Sequence, residues 1–507
     1  MSSVAENPSA ARMSCITCRN QKRKCSKEIP ACELCRRNQR RCEYPVECPI
    51  GSTAELSMGY KVSTEIRPTF PALVFFDYYT FQGQRNRVEI PRVDLPWEFR
   101  SAIGGPDQVV RELDAYFSSF QLFFPVVSKL RMHHNLTTNI EHLTADTVLL
   151  LLTMRLMLHI DRNPSPENAL YDQVKRCNAF VERSGVVTMK LLQSNLLLAF
   201  YEFSHAIFPA AYFTIRHSAS IGLALGIHSR SPPFQVLSPS TSWCELEERR
   251  RTWWGVIMLD RYINIGTGSN EFSCADAKPN DLLPMNEECW DKGESTLIQS
   301  LAVSSSTDVT ASPFTRASQA AHLLSRILRH INGKHDDYQT YYDEAKQLHY
   351  IITSFHAALS QEFLNSEDEV SQIRLLTAVG LCFSAKMALY DTYTCAEVDI
   401  NGGIGTDAQL SMQQIALNEI KHTCLAVYSL ANTLISMSNG GADVRGMSPL
   451  VCNCLYAAGM HYSCYIRETR QVEMQRGLAV ILESLRGLGA IWGIAREYLN
   501  VLESGNF

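Results

Sequence analysis

The chain has 507 residues, 46% of them hydrophobic, and 47 lysines and arginines against 52 aspartates and glutamates, for a net charge of −5. Its length exceeds what one small core fills, so one large or two fused folded units are expected beyond any short module. Arg155 interrupts the longest apolar run, so no membrane span is expected.

Residues 1–14 carry no apolar h-region and read as a disordered N-terminus without a secretory signal. The next stretch holds Cys15, Cys18, Cys25, Cys32, Cys35 and Cys42. A shift of seventeen residues lays Cys15 on Cys32, Cys18 on Cys35 and Cys25 on Cys42, so one element, C-x2-C-x6-C, occurs twice. Disulfides would need an oxidising compartment, and the remaining cysteines are scattered in mostly apolar settings, as in a reducing interior. A single four-cysteine zinc site would discard Cys25 and Cys42. Two tetrahedral zinc ions need eight metal–sulfur bonds, which six thiolates supply when two of them bridge. Symmetry nominates Cys15 and Cys32 as the bridges. One ion would take Cys15, Cys18, Cys25 and Cys32, and the other Cys32, Cys35, Cys42 and Cys15. Each C-x2-C turn should open a short helix, Ile16–Lys24 and Glu33–Arg41, too short to stand without metal. Pro30 marks the turn between the halves.

This small α module is basic. Residues 12–44 carry ten lysines and arginines against Glu28, Glu33 and Glu43, a charge of +7 before the thiolates and metal, which leaves −12 on the rest of the chain. A compact cationic head on an acidic body is the footprint of a phosphate-backbone binder. The runs "QKRK" and "RRNQRR" also fit nuclear import.

The pattern from Cys15 to Tyr44 resembles the DNA-binding module of the fungal binuclear zinc-cluster transcription factors. The resemblance implies two zinc ions, a nuclear protein and double-stranded DNA as partner, with the first helix entering the major groove to read a CGG triplet. By motif position Lys22 would be the base-reading lysine, with Arg19, Arg23 and Lys24 beside it. Gln21 stands where the family commonly has a second basic residue. Arg36, Arg37 and Arg40, on the second half, would lie along the backbone.

Residues 45–70 are broken by Pro45, Pro49, Gly51 and Pro68 and carry no heptad repeat, so they read as a linker without a coiled coil. The module would then sit on one half-site as a monomer, with any dimer forming through the rest of the chain. Cys48 lies outside the repeat.

From residue 71 to 507 the periodicity is helical almost throughout, and an all-α domain is expected. Leu478, Ile481, Leu482, Leu485, Leu488, Trp492, Ala495, Tyr498, Leu499 and Leu502 form one apolar stripe. Loops are expected at 228–243, 269–295, 301–314 and 399–407, with the serine-rich 301–314 disordered. Residues 245–268, "ELEERRRTWWGVIMLDRYINIGTG", read as an amphipathic core helix with Trp253, Trp254, Ile257, Met258 and Arg261 in packing and ion-pair positions. Glu247 and Arg251 stand at i,i+4, a spacing worth tenths of a kcal/mol on a helix surface. The "RRR-x-WW…LDRY" core, with "LLPMNEECWDKG" after it, also resembles the middle homology region of the same family, which implies an all-α regulatory domain.

No motif of catalysis is present: no Walker A loop, nucleophile elbow, H-E-x-x-H or dinucleotide fingerprint. Cys452, Cys454, His461 and Cys464 suit a buried helix better than a metal site. His133, His134 and His159 read as structural. A sequence-specific regulator is therefore expected rather than an enzyme; the family resemblance further implies a helical domain that meets transcription machinery or a small-molecule effector, and control of a metabolic gene cluster. The competing reading is a zinc-stapled scaffold whose basic head binds RNA or acidic proteins without sequence preference.

Overall fold

The computed structural model describes residues 14–44 except 22, and residues 70–505 except 84–87, 89, 140–141, 160–167, 229–236, 238–239, 269–270, 295–299, 334–336, 395–406, 442 and 470. Lys22, Cys48, the N-terminus and the linker therefore lie outside the described residues. The chain divides into two compact units, one holding the described residues up to Tyr44 and the other those from Phe70 onward.

The first unit has two helices, Ile16–Asn20 and Glu33–Arg37, each opened by a cysteine whose Sγ accepts the N–H three residues on. Both are shorter than the spacing suggested. The chain leaves helical geometry so that the third cysteine of each half can turn back. The Arg23 and Arg40 N–H groups reach the Cys18 and Cys35 carbonyls at 2.9 Å, one for each half.

The second unit is built of helices from Leu73–Phe76 to Gly493–Ser504, and its described residues contain no strand beyond one isolated bridge, Leu282 to Ala302. Nearly all its buried apolar residues form one continuous core, so a single large unit is present. Two helices sit at its centre. Met189–Ser204, capped by the Thr188 hydroxyl, is buried on every side from Leu191 to Ser204. Glu369–Thr394 is long and apolar enough to cross a membrane by length and composition, but 89% of its apolar eighteen-residue stretch is buried inside the protein. It packs against Pro313–Asn332, Tyr338–Leu364, Asp407–Asn439 and Cys452–Thr469. A helix apolar all round belongs in a core of this size. Gly380 lets the 449–451 turn press onto it: a Cβ there would meet the Leu450 carbonyl oxygen at 2.5 Å.

The expected helix over 245–268 runs Trp243–Ile263, started by the Ser242 hydroxyl. It buries charge as well as apolar surface. Glu247 and Arg251 are both fully buried and 3.0 Å apart, so this is no surface pair. The Met285 N–H donates to Glu247 at 2.7 Å, Arg251 donates to the Met285 carbonyl at 2.5 Å, and the guanidinium lies over Trp290 at 4.3 Å. Arg261 is likewise buried, bonded to Asp260, Asp276, Ser325 and the Cys274 carbonyl. These charges hold the 271–294 segment against the helix through its backbone.

Two further expectations are corrected. The apolar stripe from Leu478 to Leu502 is carried by two helices, Val472–Leu488 and Gly493–Ser504, because the chain turns at Gly489–Trp492. The serine-rich 301–314 stretch is ordered in its described part: Leu283 donates to the Leu301 carbonyl at 2.8 Å and Val303 to that of Asp281 at 2.9 Å.

Candidate metal centre and nucleic-acid interface

Cys15, Cys18, Cys32 and Cys35 are buried together, their sulfurs all within 4.8 Å of one another. Cys15 Sγ lies 3.7 Å from those of Cys32 and Cys35, and Cys18 Sγ lies 3.6 Å from Cys32 and 4.0 Å from Cys35. Four thiolates about 2.3 Å from a tetrahedral zinc sit about 3.8 Å apart, so the spacing fits the metal. Cys25 and Cys42 are half-buried and packed against this group, and Cys42 Sγ accepts the Cys32 N–H at 3.2 Å. The four closest thiols are the two C-x2-C pairs, a set that one zinc ion would also use. The third cysteine of each half, folded back onto that set, is what a second ion requires.

Electrostatics point the same way. Burial pushes the Cys15 and Cys18 thiols up, and burial with the Cys32 contact carries Cys35 to about 12. At Cys32 burial opposes ionisation, but the Cys35 N–H and the neighbouring thiols outweigh it and lower the group to about 6. Four sulfurs this close cannot all ionise without a cation among them, and a divalent metal relieves that conflict. Zinc, when bound, supplies the charge and the bonds around which this unit folds.

Around the thiols the chain is tied by few bonds. Thr17 donates to the Arg41 carbonyl at 2.8 Å, Tyr44 to that of Glu28 at 2.7 Å, and the Ile16 N–H to that of Glu43 at 2.8 Å. The motif ends on Tyr44 without indicating its bond, and nothing in it singles out Thr17; their partners are 16 and 24 residues away. Arg19, Gln21, Arg23, Lys24, Arg36, Arg37 and Arg40 are all exposed on the outside of the cluster. Arg36 lies 3.7 Å from Glu28 and Arg41 2.5 Å from Glu43. Arg40 donates to the Gln21 side-chain oxygen at 2.8 Å.

In the second unit, Cys452 and Cys454 are buried on one helix and Cys464 is exposed, while His461 pairs with Asp391 at 3.3 Å. They do not converge. His133 lies 3.5 Å from Asp114. Arg155 pairs with Glu112 at 2.7 Å.

Two family models match. The fungal Zn(2)-Cys(6) binuclear cluster domain covers residues 13–48, and the fungal specific transcription factor domain covers residues 113–373, just over half the chain. Among similar proteins, the transcription factor BOA15 of Botryotinia fuckeliana (strain B05.10) is 36% identical over 146 residues, 29% of this chain and 81% of that protein. The pigment biosynthesis transcriptional activator pigB of Monascus ruber is 24% identical over 303 residues, 48% of this chain and 53% of that protein. A duplicated, zinc-compatible thiol cluster followed by a strandless helical domain, with both family models in that order, places the chain in the fungal zinc-cluster transcription factor family.

Proposed function

We propose that the protein acts in the nucleus as a sequence-specific regulator, with Cys15, Cys18, Cys25, Cys32, Cys35 and Cys42 holding two zinc ions and Cys15 and Cys32 shared between them. In this reading residues 15–44 bind double-stranded DNA at a CGG-type triplet, Lys22 reads the bases, and Arg19, Gln21, Arg23, Lys24, Arg36, Arg37 and Arg40 line the interface. Residues 45–70 form the linker and 71–507 the regulatory domain, through which a dimer, transcription machinery or a small-molecule effector would act. The observation that carries the reading is the exposure of this basic set around a buried thiol cluster. Control of a secondary-metabolite gene cluster is supported by the similarity to the Monascus activator of pigment biosynthesis.

The test is a titration of the zinc-loaded full chain against duplexes with an intact or a mutated CGG triplet, at several salt concentrations. A lysine contact to guanine O6 and N7 discriminates by about 1–3 kcal/mol, so Lys22→Ala should flatten the preference while much nonspecific affinity remains. Equal binding of both duplexes by the unmutated chain would favour the nonspecific scaffold reading. Genome-wide occupancy of the tagged protein would identify the genes it controls.

A further inference from the structure

The arginines of the second half-repeat are not equivalent. Arg36 and Arg41 each lie beside a carboxylate, Glu28 and Glu43, which offsets their charge toward a phosphate. Arg40 is held differently. Its guanidinium donates to the side-chain oxygen of Gln21 at 2.8 Å, across nineteen residues of sequence and from one half-repeat to the other. An amide fixes a guanidinium without neutralising it, so Arg40 combines a defined direction with a full positive charge. Gln21 is also the C-cap of the first helix, its N–H bonded back to the Thr17 and Arg19 carbonyls. Its side chain therefore joins the end of that helix to the second half. The bond joins the two halves of the module at the point where the first helix ends.

We propose that Gln21 is a positioning residue for DNA binding: it aims Arg40 at a backbone phosphate and couples that anchor to the end of the first helix. This rests on the proposed reading of the module as a duplex binder. It also accounts for a neutral residue where the related proteins commonly have a base: a lysine at 21 would repel Arg40, whereas the amide holds it. A directly phosphate-contacting Gln21 would act independently of Arg40. A positioning Gln21 acts only through it.

The experiment is a double-substitution cycle on the zinc-loaded full chain, read as duplex affinity at several salt concentrations with zinc content measured for each variant. Arg40→Ala should weaken all duplexes and make the log–log salt slope shallower by about one unit. Gln21→Ala should weaken binding about threefold with the slope unchanged, because the charge remains but its direction is lost. In the Arg40→Ala background, Gln21→Ala should then change nothing. Gln21→Glu should reproduce the shallower slope of Arg40→Ala, since a carboxylate keeps the bond and cancels the charge. A merely structural role for Gln21 would lower zinc content or leave the slope of Gln21→Glu unchanged. Equal losses from Gln21→Ala with and without Arg40 would overturn the positioning role. Failure of the unmutated zinc-loaded chain to bind duplex would instead overturn the reading of the module itself.

Discussion

Cysteine does opposite work in the two units. In the module, four cysteines are the only buried side chains among its described residues, and between its two C-x2-C pairs the sulfurs lie 3.6–4.0 Å apart. Backbone N–H groups point at the leading sulfur of each half, as a thiolate requires. In the helical unit Cys382, Cys452 and Cys454 are just as buried, yet they stand in an apolar core. There burial alone pushes the Cys382 thiol up to about 12, with Lys386 opposing, and the group stays neutral. Burial therefore does not separate a ligand from a core filler. Convergent sulfurs with N–H donors do.

The largest effect should come from removing metal. Chelation of the full chain should abolish duplex binding and unfold residues 15–44, while the thermal transition of the helical unit stays in place, because the described residues of its core contain no convergent thiols. Metal analysis should find two zinc ions per chain before chelation. Cys25→Ala and Cys42→Ala should each lower that content, and Cys454→Ala should not. A measured ratio of one zinc, unaffected by Cys25→Ala and Cys42→Ala, would leave only the two C-x2-C pairs as ligands.

The next effect belongs to the helical unit alone. Glu247→Ala takes from the buried Arg251 its nearest carboxylate, leaving Glu287 at 3.9 Å, and removes the Arg250 pair and the acceptor of the Met285 N–H as well. Removing one partner of a buried ion pair costs about 3–5 kcal/mol. Denaturant unfolding should show this loss, with zinc content and duplex affinity unchanged at temperatures where the variant is folded. A loss near the tenths of a kcal/mol of a surface i,i+4 pair would mean that Met285 and Trp290 do not depend on it.

That pair shows where the sequence was legible and where it was not. The thiol repeat could be read because its ligands are local and spaced by a fixed period, and its charge because charge needs no neighbour to be counted. The helical character of the second unit followed from periodicity, which reports one face at a time. Periodicity could not report that both faces of Met189–Ser204 and Glu369–Thr394 are covered, or that Glu247 and Arg251 are buried, since what covers them comes from distant segments. It carried the Leu478–Leu502 stripe through a turn because both helices face the same core. The Ser-rich 301–314 stretch gained its order from backbone bonds to residues 279–283, a pairing that its composition does not encode. Gln21 and Arg40 were each legible as surface residues of the module, but not as partners.

A smaller and reversible effect should follow pH in the helical unit. His356 is lowered to about 4, first by burial and then by Lys386, with Glu419 opposing. A histidine depressed on folding takes up protons more readily in the unfolded chain between about pH 6.5 and 4, so stability falls as pH drops through that window. At pH 5 the loss attributable to this group is about 2 kcal/mol relative to pH 7.5, an order-of-magnitude figure. His356→Gln should make the unfolding free energy flatter between pH 7.5 and 5. An unchanged slope in that variant would place the pH dependence elsewhere. The module should report a different acid response, through its thiolates, as zinc release.

The smallest effect lies on the surface of the module, where Arg36 and Arg37 are neighbours in sequence with different surroundings. Arg36 faces Glu28 at 3.7 Å, with 69% and 42% of the two side chains exposed. The ion pair is therefore weak but takes up part of the field that Arg36 would offer a phosphate. Each phosphate neutralised contributes about 0.9 to the salt slope of duplex binding. Arg37→Ala should lower affinity for matched and mismatched duplexes alike and reduce the slope by about that amount. Arg36→Ala should reduce it by less, because binding by Arg36 must first loosen Glu28. Glu28→Gln should then raise affinity slightly and bring the Arg36→Ala effect up to that of Arg37→Ala. Equal slopes for Arg36→Ala and Arg37→Ala with Glu28 intact would show that the carboxylate does not compete with the duplex, and the ranking of the four second-half arginines would fall with it.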